Sequence, residues 1–217
     1  EQTGTKVYIR KQLPYLLALL RQMNDCVGVD GELAYPSYFV DWPTSGHPEV
    51  IDGARAINIM AARAAISLLQ TFGENTSVAE ELLDKLLRQE IVARGNKKVL
   101  GLKYFATGLT RDEQEALVSG GAQGMSTFMS YYILKAVASF DREAAVSMMK
   151  EYYGAMLDKG ATTFWEDFDL EWCKNATRID EMPVPGRPDI HADFGDHCYK
   201  GLRHSLCHGW AAGPAAW

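Results

Sequence analysis

At 217 residues and 24.1 kDa, with 47% hydrophobic and 23% charged residues, the chain has the make-up of one sizeable globular domain or a large piece of one. A formal charge of -6 argues against a nucleic-acid partner, which needs concentrated lysine and arginine to displace counterions; Arg94, Lys97 and Lys98 make only a short patch. No apolar run reaches the roughly 18 residues of a membrane span, so no membrane partner is expected.

The opening EQTGTKVYIRK lacks the apolar stretch and cleavage pattern of a signal peptide. Cys26, Cys173, Cys198 and Cys207 are scattered and form no CxxC; Cys173 and Cys198 are the pair that would bridge in an oxidising compartment, with free thiols the alternative. Asn75-Thr-Ser and Asn175-Ala-Thr match the glycosylation sequon. A secreted or periplasmic setting is expected ahead of a cytoplasmic one.

Leu13, Leu16, Leu17, Leu20 and Met23 recur at helical spacing and predict a first helix from Lys11 to Met23, with Pro14 in its first turn, where a missing N–H costs nothing. Gly28-Val-Asp-Gly31 and Pro36 stop it, and residues 32–53 read as a loop rich in polar and aromatic side chains. A second helix is expected from Ala54 to Thr71 on a stripe of Ile57, Met60, Ala61, Ala64, Ala65, Leu68 and Leu69, ended by Gly73. A third starts near Ser77, with Val78, Leu82, Leu83, Leu86 and Leu87 facing inward. The glycine-rich stretch 94–124 holds one short helix after Thr110, where Glu113 completes a capping box. Helices follow over Met125–Phe140 and, after Asp141, through Ala145, Met148, Tyr152 and Met156. Residues 159–203 carry more glycine, proline, aspartate and aromatics, and a last helix is expected from about His204 to Pro214. Long helices with short connections pack as antiparallel neighbours, so the fold class is all-α: a bundle, a solenoid of hairpins or a closed α/α toroid. The chain's end on Ala-Ala-Trp, without a polar tail, is expected of a chain that stops inside a larger fold.

Three clusters carry candidate chemistry. In Gly160-Ala-Thr-Thr-Phe-Trp-Glu, Trp165 offers a flat wall for a sugar ring and Glu166 a carboxylate for hydroxyls or proton transfer; alternatively Thr162, Thr163 and Glu166 start a helix and Trp165 fills core. In Phe39-Val-Asp-Trp, Asp41 and Trp42 repeat the pairing in a loop, unless they form an Asx-type turn with a core plug. In Ser205-Leu-Cys-His-Gly-Trp, His208 is either a ligand-binding or a structural histidine, and His204 would share its helical face. His191, Asp193, Asp196 and His197 lie nearby, but the spacing fits no standard metal signature, so neither metal nor cofactor is expected.

Together these three segments, with Trp217 closing the last helix, resemble the α-L-rhamnosidase family of inverting glycoside hydrolases, over most of the chain and most specifically in Ala161-Thr-Thr-Phe-Trp-Glu166. The resemblance implies that residues 1–217 are the C-terminal portion of one (α/α)6-barrel catalytic domain, a toroid of antiparallel helical hairpins whose first helices are absent. It further implies cleavage of terminal α-L-rhamnosyl linkages, with Glu166 as the catalytic base and Asp41, Trp42, Trp165 and His208 binding the sugar. The implied partners are a rhamnosylated glycan or glycoside and the remaining part of the same catalytic domain. Cys207 stands where the family usually has asparagine, the interval from Glu166 to His208 is longer than usual, and no counterpart of the family's general acid is found, so this segment alone is expected to be inactive. The competing expectation is a catalytically inactive carbohydrate-binding or helical scaffold protein.

Overall fold

The computed structural model describes residues 6–41, 46–182, 184–189 and 205–216. Its elements are seven α-helices: α1 (Lys6–Asp25), α2 (Val50–Phe72), α3 (Ser77–Leu86), α4 (Lys97–Ala106), α5 (Arg111–Val118), α6 (Ser130–Ala138) and α7 (Arg142–Asp158). Two 3-10 helices follow, Leu170–Asn175 and Gly209–Ala216. No strand occurs among the described residues; the one bridge, Val27 to Leu33, closes the turn after α1. The chain is therefore all-α, as its periodicity predicts.

The helices pack in two rows. α2, α4 and α6 are successive neighbours, while α1 packs on α3, α3 on α2, α5 on α4 and α7 on α6. α4 passes through the middle of this core: Val99, Leu100, Gly101 and Leu102 are all buried. Gly101 permits the close approach to α6, because a Cβ there would lie 3.1 Å from the backbone nitrogen of Ile133. Sequence periodicity misses α4 for the same reason: a helix covered on every side shows no apolar stripe.

Several ends follow their local chemistry. Gly73 ends α2 in the left-handed region (φ 69°), with its N–H on the Gln70 and Leu69 carbonyls. Thr110 and Glu113 exchange both bonds of the capping box, at 3.3 and 3.0 Å. Asp141 caps α7 through the Ala144 N–H at 2.9 Å.

Other expectations are corrected. α1 extends back to Lys6, so Pro14 sits inside it, not in its first turn; the helix forgoes one bond while Leu13 and Leu20 anchor its buried face. α2 starts at Val50 and buries Ala56, Ile59, Ala62, Ala65, Leu69 and Phe72, leaving Ile57, Ala61 and Ala64 exposed. An alanine-rich helix is apolar nearly all round, so composition alone leaves its rotation open by a residue or two. Leu87 lies outside α3 and is exposed. α6 begins only at Ser130, and residues 205–208 are not helical; the shared helical face of His204 and His208 falls away, with His204 itself outside the described residues.

A charged group pins the first half. The Arg55 guanidinium, buried on α2, donates to the carbonyls of Gly31 at 2.8 Å and Leu86 at 3.2 Å, and to Gln89 Oε1 at 2.9 Å. It ties α2 to the turn after α1 and to the end of α3. Burial lowers its pKa from the usual value, with Asp52 opposing.

Candidate functional site

Four segments far apart in sequence converge on one cavity of about 380 Å³, lined by Phe39, Asp41, Phe128, Glu166, Asp167, His208 and Trp210, among others. Each wall is set by its own local packing.

The first wall is the loop ahead of α2. Gly53 in the first turn of α2 lets the chain at Val40 lie against the helix; a Cβ at this position would meet Val40 Cγ2 at 2.6 Å. Val40 and Asp41 are thereby buried, and the Asp41 carboxylate accepts the Ser126 hydroxyl. Ser126 belongs to the second wall, the turn before α6. There Thr127 Oγ1 donates to the Glu166 carbonyl at 2.6 Å, and Ser130 Oγ donates to the Thr127 carbonyl at 2.6 Å.

The third wall is the stretch after α7. Gly160 turns the chain at φ 93°, close under Ile179, and residues 161–169 run on without helix. The alternative of a helix starting at Thr162 is excluded. Trp165 turns into the core, 1% exposed and edge-on to Phe168 at 5.7 Å, while Glu166 lines the cavity. The stacking role expected of Trp165 is corrected on this ground: its indole is buried against Phe168.

Glu166 is held by residues 205–208. Its N–H donates to the Ser205 carbonyl at 2.8 Å, and the His208 N–H donates to the Phe164 carbonyl at 2.8 Å. The Ser205 N–H in turn donates to Glu166 Oε2 at 3.0 Å. The same pairing places His208 at the cavity wall, with Trp210 edge-on to it at 6.2 Å. Trp210, 79% exposed, lines the cavity with an open indole face. Trp42 lies outside the described residues, as do His191, Asp193, Asp196, His197, Cys198 and Trp217.

Asp167 is the site residue that sequence reasoning passed over. It lines the cavity while only 2% exposed, and its carboxyl is pushed up to about 7, first by burial and next by Asp41, against the Phe168 N–H; Asp169 adds to the rise and Lys98 opposes it. Its signal in the sequence was only the second acid of Glu166-Asp167, next to a carboxylate already singled out.

A larger cavity of about 880 Å³ lies along α7, between Met149, Tyr153 and Met156 and the turn Thr162–Phe164; its lining includes Arg142 but no carboxylate. Among the described residues no cluster of three or more histidine, cysteine or acidic side chains is arranged to hold a metal. No family model matches the chain, and neither the curated proteins nor the solved structures give a match.

Proposed function

We propose that the smaller cavity binds a sugar and that Glu166 is the general base of an inverting glycoside hydrolase of the α-L-rhamnosidase type. One observation carries this reading: Asp41, Glu166 and His208, singled out separately in the sequence, line one cavity of about 380 Å³ edged by the rings of Phe39, Phe128 and Trp210. That size falls within the range of small-ligand sites, and aromatic faces with a few polar groups suit a pyranose. The two-row packing of α2, α4 and α6 against outer helices supports a segment of an (α/α)6 toroid.

In this reading Glu166 takes a proton from a water whose oxygen attacks the anomeric carbon, and the glycosidic bond breaks with inversion. The Ser205 N–H fixes the carboxylate through Oε2. Asp41 and His208 hold sugar hydroxyls, and Trp210 covers a ring face. The leaving oxygen needs an acid about 6.5–9.5 Å from the base. Neither Asp41 nor Asp167, each already bonded within the wall, is assigned that role, and in this reading the acid comes from the remaining part of the catalytic domain.

In the complete catalytic domain, Glu166→Gln abolishes release of L-rhamnose from an aryl α-L-rhamnoside while retaining L-rhamnose binding. Azide restores turnover to Glu166→Ala as a glycosyl azide. Substantial residual hydrolysis by Glu166→Gln removes the base assignment. The second reading, a sugar-binding protein without hydrolysis, is favoured by the same lack of an accessible acid, and saturable binding without turnover would establish it.

A further inference from the structure

Three carboxyls line this cavity, and the sugar-site reading, on which the inference rests, gives roles to Glu166 and Asp41 but none to Asp167. Asp167 Oδ1 accepts the Phe168 N–H at 2.9 Å, while Oδ2 is buried with no hydrogen-bond partner among the described residues. A buried polar atom without a partner is costly, and in a cavity wall the partner is the ligand's to supply. Neighbouring Asp41 accepts the Ser126 hydroxyl through its own Oδ2. Two acids that repel each other in a poorly solvated wall do not both ionise; one keeps a proton. The wall then presents one donor beside one acceptor, the complement of an alcohol, which accepts and donates at once.

We propose that Asp167 is a specificity-determining carboxyl of this site, holding a proton that Oδ2 donates to a ring hydroxyl of a monosaccharide whose own O–H donates to Asp41. The charged and titratable groups around it are Asp41, Asp169, Lys98 and buried Tyr152, with Glu166 and His208 on the cavity wall. Its carboxyl, raised to about 7, carries the proton on the acid side of neutrality and loses it above. Affinity for a neutral sugar therefore falls as pH rises, because the donor becomes a second anion facing Asp41.

Calorimetric titration of the full chain with L-rhamnose between pH 6 and 8.5 tests this. The wild-type Kd weakens about thirty-fold across that range, the factor for losing one required proton with a pKa of about 7. Asp167→Asn keeps a donor in the same place, binds within several-fold of wild type at pH 6, and holds that affinity to pH 8.5. Asp167→Ala binds poorly at both. His208 is common to all three proteins, so it cannot account for a difference between them. Parallel pH profiles for wild type and Asp167→Asn, or a wild-type Kd that does not change, overturn the proposal and leave the role of Glu166 standing. Failure of the wild type to bind L-rhamnose at pH 6 overturns both.

Discussion

Exchanging Asp167 for asparagine changes the pH dependence of stability in a direction the structure dictates. In the unfolded chain this carboxyl titrates near 3.8; in the fold it is held up to about 7, first by burial and then by Asp41. Below the lower value both states are protonated and the residue costs nothing. Between the two values the unfolded chain releases its proton while the folded one keeps it, so folding is disfavoured by about 1.4 kcal/mol for each pH unit. The penalty levels off above pH 7 at about 4 kcal/mol, an upper bound if water enters the cavity. Asparagine has no proton to hold, and its side-chain oxygen can still accept the Phe168 N–H. Urea unfolding of both proteins at about pH 4, 5.5, 7 and 8.5 reads the difference directly. The variant should match the wild type at the acid end and gain steadily, by about 2–4 kcal/mol, toward the alkaline end. A difference that is constant with pH, or one that grows toward acid, refutes the reasoning.

Other substitutions probe the frame around the cavity. Arg55→Ala leaves two buried carbonyls and an amide oxygen without their donor and should cost about 2–5 kcal/mol in urea unfolding, mostly independent of pH. Gly101→Ala places a methyl 3.1 Å from the Ile133 backbone and should destabilise by about 1–3 kcal/mol despite alanine's better helix propensity, seen as a lower Tm. Gly53→Ala pushes against buried Val40, next to Asp41, so the Tm should fall and calorimetry should show L-rhamnose affinity falling several-fold.

Much of the helical scaffold was legible because its signals are local. Thr110 with Glu113, Gly73 and Asp141 each act within one turn of chain, and the structure uses all three. What escaped depends on surroundings that periodicity does not carry. α4 is enclosed on every side and so lacks a polar face; Arg55 is a buried cation whose partners lie 24, 31 and 34 residues away. At the cavity, Asp41, Glu166 and His208 could be nominated from residue type and resemblance, but their meeting rests on long-range bonds such as Ser126 to Asp41, 85 residues apart. Trp165 and Asp167 are placed by tertiary packing: the indole turns into the core against Phe168 and the second acid lies buried at the cavity wall, and residue type alone carries neither placement.

The pairing of residues 164–166 with 205–208 works as a clasp. Two backbone bonds join the halves and the Ser205 N–H holds Glu166 Oε2, so the chain between them can change in length while these bonds persist. Doubling the length of such a closed excursion costs only about 0.6 kcal/mol in chain entropy. An insertion in that excursion therefore costs little, and the Glu166 carboxylate keeps the bond that holds it.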